Sequence, residues 1–153
     1  MIKDKDKGFK KIKKEIAKQA KKPFVKIGIQ GSDATAQKKN APQGLTVVEI
    51  GTFHEFGYGV PRRSFLRDTL NMNRNKYKEI ALMLEQEIML KRSMNSQKAL
   101  STIGTEIVAD CKKRIIDGIP PELSQETIDK KKSSTPLIDT GQLFASITYV
   151  VEG

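Results

Sequence analysis

The sequence predicts an α+β domain in which a small, mainly antiparallel sheet packs against a long helical hairpin, preceded by an N-terminal basic amphipathic helix. Two observations predict this class, and the length of the chain predicts the number of domains. Segments rich in β-branched residues occupy positions 24–30 and 148–152, whereas apolar residues recur at helical spacing over most of the chain between them. The length of 153 residues suits one modest core, so we expect a single domain over 1–153.

The first predicted element is the basic helix, which lies within residues 1–23. Its apolar residues are spaced three and four apart and therefore form one stripe: Phe9, Ile12, Ile16, Ala17 and Ala20. Pro23 ends the helix, because the residue before a proline avoids the α-helical conformation. The strand over 24–30 follows directly.

Positive charge is concentrated at this end of the chain. The formal net charge is +10, and residues 1–26 contain eleven of the 28 basic residues but only three acidic ones. Such a segment is either a solvated surface or one that binds a polyanion or an acidic protein surface. In the second case we expect its lysines to face DNA or an acidic partner, among them Lys10, Lys13, Lys14 and Lys18.

Residues 31–44 are predicted to form a flexible loop or an assembly arm. These fourteen residues contain no large apolar side chain, so nothing anchors the segment to its own domain. We expect a neighbouring subunit or ring to contact it, with Lys38 and Lys39 at the interface.

The segment after this loop is predicted to be a helix over 47–56, although Thr46 to Ile50 also suits a strand by propensity. Thr46 and Glu49 have the spacing of a capping box, and Gly57 stands where a helix commonly ends. The helical period then places four residues on one face: Val47, Ile50, Phe53 and His54.

The helical hairpin is predicted over 67–117. Its first helix runs over 67–92, with an apolar stripe of Leu70, Tyr77, Ile80, Ala81, Leu84 and Ile88. After a break at 93–95, its second helix runs to Asp117 with apolar residues every four positions: Ala99, Ile103, Ile107, Cys111 and Ile115. Because the break between the helices is short, we expect them to be antiparallel, and Gly118 ends the second.

The last third contains two predicted helix starts and a strand. Ser124 is a predicted cap, with Leu123 and Ile128 placed to pack across it. Asp139 repeats this pattern, with Gln142 at the capping-box position, so residues 136–153 are predicted to form a C-terminal helix and strand.

The residue inventory argues against catalysis. A single cysteine and a single histidine exclude an internal disulfide, a cysteine-based zinc site and any two-histidine metal site. Cys111 is predicted to be a small buried apolar residue and His54 a core or interface histidine. We therefore expect a soluble, unexported, non-enzymatic protein without a cofactor or metal, and no membrane segment.

Three segments carry a resemblance to a known family. They are H-E-F-G at 54–57 followed by P-R-R-S-F-L-R at 61–67, then G-I-P-P-E at 118–122, and finally P-L-I-D-T-G-Q-L at 136–143. Their order resembles the tailed-phage virion-morphogenesis family, whose members are also described as tail-completion, neck or head–tail joining proteins. The central residues Arg63 and Ser64 depart from the family's usual P-R-P-F turn.

The resemblance implies a structural subunit of the virion, made in the host cytoplasm, that forms a ring in the neck between head and tail. The implied partners are further copies in a sixfold ring, the head connector or an adaptor protein, and a tail terminator or tail tube or sheath protein. Genome DNA passing through the lumen is a further implied contact. A small basic nucleic-acid-binding protein that uses the N-terminal lysines is the alternative interpretation.

The residues of these motifs suggest two roles. Some are structural turns: Gly57, Pro61, Asp139 and Gly141. Arg62, Arg63 and Arg67 are either a solvated turn or a subunit interface that pairs with carboxylates of a neighbour. The stripe of Phe9, Ile12 and Ile16 favours docking of the basic helix on an acidic neighbouring ring over a place in the lumen.

Overall fold

The computed structural model describes residues 23–37, 44–91, 94–131 and 135–153. The predicted N-terminal helix, with its apolar stripe and lysines, lies outside the described residues, as do Lys38 and Lys39. The described elements are, in order, β1 Phe24–Ile29, α1 Ser32–Thr35, α2 Val47–Phe56, α3 Arg67–Met72, α4 Arg74–Lys91, α5 Ser96–Asp117, α6 Gln125–Lys131, α7 Gln142–Ser146 and β2 Ile147–Glu152.

The two described strands form one antiparallel sheet, which confirms the predicted α+β class. The register runs from Phe24 opposite Glu152 to Ile29 opposite Ile147, so the sheet joins segments from the two ends of the described chain. The sheet packs mainly against α5. Gly104 allows the close approach, because a Cβ there would lie 2.7 Å from the Tyr149 ring and 3.0 Å from Val25.

The helices α4 and α5 form the predicted antiparallel hairpin. Near one end of it, the ammonium of Lys76 and the hydroxyl of Tyr77 both donate to Asp110, each at 2.8 Å. The prediction of one helix over 67–92 is wrong, because Asn73 leaves the helical conformation between α3 and α4. The Asn73 side-chain amide donates to the carbonyl of Thr69 at 3.0 Å, a local bond that competes with helix continuation.

The hydrophobic core lies between the hairpin, the sheet and the short helices. Its buried members include three of the five residues of the predicted α5 stripe and residues from all three motif segments: Val47, Phe65, Tyr77, Ile107, Cys111, Ile115, Ile119, Leu137, Leu143 and Ile147. Ile103 of the stripe is only partly buried against this core. Among the described residues, no helix combines the length and the apolar character needed to cross a membrane.

The structure confirms α2 and its caps and excludes the strand alternative. The Thr46 hydroxyl accepts the N–H of Glu49 at 3.3 Å, and the Glu49 carboxylate accepts the N–H of Thr46 at 2.8 Å. The Thr46 hydroxyl also donates to the Glu49 carboxylate at 2.6 Å, and this bond, together with the one from the Thr46 N–H, holds the pKa of Glu49 below its usual value. Gly57 adopts the left-handed conformation, at φ 81° and ψ 33°.

Of the four residues predicted to share one face of α2, only Val47 is buried. The buried residues of this helix are Val47, Gly51 and Glu55, whereas Ile50, Phe53 and His54 are only half-buried. The face is rotated because Gly51 permits close packing: a Cβ there would collide with Ile29 and lie 3.2 Å from Leu143. Glu55 is buried because its carboxylate has hydrogen-bond partners inside the fold.

Two further predictions need correction. The segment 31–44 is not wholly an unanchored loop, because α1 packs against α2 and α7, and Gln37 pairs with Thr46.

The helix start predicted at Asp139 is also wrong, since α7 begins at Gln142 after a left-handed Gly141. The amide oxygen of Gln142 accepts the Thr140 hydroxyl, and its amide nitrogen donates to the carbonyl of Gln37. By contrast, α6 begins directly after Ser124, as predicted.

Candidate assembly surface

A buried carboxylate lies at the centre of the first motif. Glu55 accepts the Ser64 hydroxyl at 2.6 Å, the N–H of Leu66 at 3.1 Å and the N–H of Arg67 at 2.9 Å. The two N–H groups belong to the beginning of α3, where backbone donors have no partner within the helix. A negative charge is favourable there. The end of α2 therefore caps the start of α3 across the turn at 57–66.

A buried guanidinium joins the first motif to the second. Arg63 is 4% exposed, and its guanidinium donates to the carbonyls of Ile119 at 3.3 Å, Pro121 at 3.0 Å and Glu122 at 3.4 Å. Burial lowers the pKa of Arg63 from its ordinary value, although arginine stays protonated at any working pH. The prediction that Arg63 pairs with a neighbouring subunit is wrong, because its donors are used within the chain.

The third motif contributes packing. Leu137 and Leu143 lie in the core with Phe65 of the first motif and Ile119 of the second. Asp139 lies half-buried in the bend before α7. The structure therefore brings all three segments, distant in sequence, around one core, and the turn residues have structural roles.

The first motif also presents an exposed patch. Phe56 and Tyr58 are 48% and 61% exposed, and their rings stack at 5.7 Å with an interplanar angle of 14°. The guanidinium of Arg67 lies 4.5 Å from the centre of the Phe56 ring. Arg62 is exposed nearby and forms an ion pair with Asp68 at 2.6 Å. We call Phe56, Tyr58, Arg62 and Arg67 the aromatic–arginine patch.

The turn geometry determines how this patch is assembled. Gly57, between the two aromatic residues, has a positive φ, and a Cβ there would lie 3.0 Å from the Cβ of Arg62. The chain therefore folds back tightly enough to bring Arg62 beside the helix end. Pro61 is exposed on this return segment.

Sequence reasoning identified two members of the patch, Arg62 and Arg67, and missed Phe56 and Tyr58. Aromatic residues on either side of a helix-ending glycine were the available signal, because a left-handed glycine turns the chain away from the core. Glu55 was also missed, although it lies eight residues after Val47 on the same helical face.

The two residues most often associated with chemistry have structural environments. Cys111 is fully buried, and burial raises the pKa of its thiol to about 11, so the reactive thiolate is disfavoured. His54 is half-buried, and its backbone carbonyl accepts the N–H of Arg63 at 2.7 Å. Within the described ranges, no group of three or more histidine, cysteine or acidic side chains is placed to hold a metal ion.

No protein-family model, curated protein or solved structure shows a significant match to this chain. The resemblance to the virion-morphogenesis family therefore stays a prediction from three sequence segments.

Proposed function

We propose that this chain is a non-enzymatic structural subunit of a phage virion. It forms a ring in the neck or tail-completion region and joins the head connector to the tail. Two things support the proposal: the order of the three motif segments in the sequence, and the surface that the first of them presents. Function in such a subunit is geometric, since contacts between unlike surfaces of neighbouring copies close into a ring when the rotation between copies allows it.

The observation that carries the proposal is the aromatic–arginine patch. Phe56 directly follows the buried Glu55, and the backbone N–H of Arg67 is bonded to the carboxylate of Glu55. The patch is thus fixed to the buried Glu55 at two points, through the chain at Phe56 and through the hydrogen bond from Arg67. Exposed aromatic and arginine side chains are typical of interface hot spots. A surface held in place before binding loses less conformational entropy on association.

The charge of the patch indicates what it binds. Arg62 and Arg67 are each about half-exposed, at 54% and 50% of the side chain, so their guanidinium groups remain accessible despite internal contacts. A guanidinium suits bidentate pairing with a carboxylate. The patch therefore fits an acidic surface on the next copy of the chain or on an adjoining ring protein.

Size-exclusion chromatography with light scattering tests the proposal. The full chain is expected to elute with a mass several times its 17.1 kDa. Tyr58→Ala combined with Arg62→Ala should weaken the assembly at least about tenfold, because both side chains contribute to the patch without contacting Glu55. The contribution of the Arg62 substitution to this weakening should decrease as the salt concentration rises, because salt screens charge pairs.

The matched control is Arg74→Ala, which removes another exposed arginine outside the patch. Circular dichroism should show that all variants stay folded. A double variant that assembles like the wild type would show that the patch is not the interface.

The lysines of residues 1–26 favour a second candidate, a small nucleic-acid-binding protein. A monomeric chain that binds duplex DNA with a steep salt dependence, abolished by Lys→Gln changes at 10, 13, 14 and 18, would favour this alternative over the ring.

A further inference from the structure

An apolar groove lies between α4 and α5, close to the start of β1. Its volume is about 310 Å³, and its apolar lining is formed by Ala81, Leu84, Ile88, Ala99, Leu100 and Ile103. Pro23 lies at the edge of the groove, and Glu85 adds a carboxylate to the lining. An apolar segment that covered this open groove would remove its aliphatic lining from water, which is favourable.

We propose that the apolar stripe of this chain's own N-terminal segment, residues 9–20, docks in this groove. Pro23 both lines the groove and begins the described chain, and only Lys21 and Lys22 separate residues 9–20 from it in the sequence. Attachment at the groove gives the stripe an effective concentration that a separate molecule does not reach. The proposal does not depend on the ring.

The dimensions and the charges of the two surfaces match. Phe9 and Ile16 are seven residues apart, which is about 10 Å along a helix, and Ala81 and Ile88 have the same spacing on α4. The predicted helix carries lysines around its stripe, and Glu85 supplies an opposite charge in the groove. The apolar residues of the segment thereby gain the protein surface that their spacing requires.

A tryptophan reporter tests the docking, because the natural chain contains no tryptophan. In the full chain, Phe9→Trp is expected to give blue-shifted emission and at least about threefold weaker acrylamide quenching than the control Lys11→Trp, on the opposite side of the predicted helix. Adding Ala81→Arg should remove this protection, because a bulky cation then enters the groove. Ala81 is solvent-exposed, so this change leaves the domain folded.

Equal quenching of the two reporters overturns the proposal, and so does protection of Phe9→Trp that survives Ala81→Arg. A bismaleimide cross-link between Ile16→Cys and Leu84→Cys identifies the chain that supplies the stripe. A cross-linked single chain is expected on a denaturing gel, because only two residues separate the segment from Pro23 of its own groove. A covalent dimer would instead show that the segment docks on a neighbouring copy, and would overturn the assignment to its own chain.

Discussion

At the scale of single residues, the fold around the first motif depends on two buried charged side chains. The carboxylate of Glu55 accepts a hydroxyl and two backbone N–H groups, and the guanidinium of Arg63 donates to backbone carbonyls of the second motif. Charged groups are buried at acceptable cost only with such partners. Both residues therefore determine local structure, whereas Arg62 and Arg67 of the same motif stay about half-exposed to solvent.

We predict that Glu55→Gln lowers the free energy of unfolding by about 2 to 3 kcal/mol, because hydrogen bonds to a charged acceptor are strong and the new amide nitrogen would face backbone donors. Urea denaturation followed by circular dichroism measures the change. Glu79→Gln, at an exposed position of α4, is the control and should stay within about 0.5 kcal/mol of the wild type. Equal stability of the two variants would contradict the capping role.

Arg63→Ala and Arg62→Ala form a second comparison between adjacent arginines. Arg63→Ala should cost about 2 kcal/mol or more, because it leaves one buried and two part-buried carbonyls without this donor. Arg62→Ala should cost less than about 1 kcal/mol, because its ion pair with Asp68 is exposed to solvent. Thermal or urea unfolding measures the two losses of stability. A larger loss for Arg62→Ala than for Arg63→Ala would show that Arg63 does not hold the two motifs together.

Cys111 provides a pH-dependent prediction. Burial raises its pKa to about 11, whereas an unfolded thiol titrates near pH 8.5, so the folded state increasingly opposes ionisation as the pH rises above that value. The wild type should therefore lose about 2 to 3 kcal/mol between pH 7.5 and 10.5 beyond the loss shown by Cys111→Ala. Urea titrations of both proteins at the two pH values measure the difference in their free energies of unfolding. A difference that does not change with pH would contradict a buried thiol.

At the scale of elements, the strongest local signals predicted the structure well. The capping box at Thr46 and the glycine at 57 set the limits of α2, and the four-residue period of α5 identified its buried stripe. The failures have a shared cause. The side chain of Asn73 donates to the backbone carbonyl of Thr69, and the side chain of Gln142 donates to the carbonyl of Gln37, which is distant in sequence. Residue spacing does not reveal such side-chain bonds to the backbone, so it did not show where α3 ends or where α7 begins.

The contact between α5 and the sheet gives the prediction that belongs to this scale. Gly104→Ala should destabilise the protein by about 1 to 3 kcal/mol, although alanine favours helices, because its Cβ would lie 2.7 Å from the Tyr149 ring. Thr102→Ala, at an exposed position of the same helix, should instead be neutral or slightly stabilising. Thermal unfolding distinguishes them, and a stabilised Gly104→Ala would show that the helix and sheet do not pack so closely.

At the scale of the whole molecule, the sheet joins segments from the two ends of the described chain, and the motif segments surround one core. Gly57 and Gly141 were predicted to be structural turns at or beside helix ends, and both adopt the left-handed conformation there. The aromatic half of the patch did not follow from the sequence, because the exposure of Phe56 and Tyr58 depends on how the turn at Gly57 meets Arg62. The aromatic residues on either side of Gly57 were the one local signal in the sequence, and their exposure depends on this tertiary contact.

The central claim is that copies of this chain assemble into a ring, and electron microscopy of the purified full chain tests it most directly. Class averages are expected to show closed particles with rotational symmetry and a central opening, and Tyr58→Ala combined with Arg62→Ala should convert them to single subunits. Only monomers in the wild-type images, or open filaments that the double variant leaves unchanged, would contradict the claim.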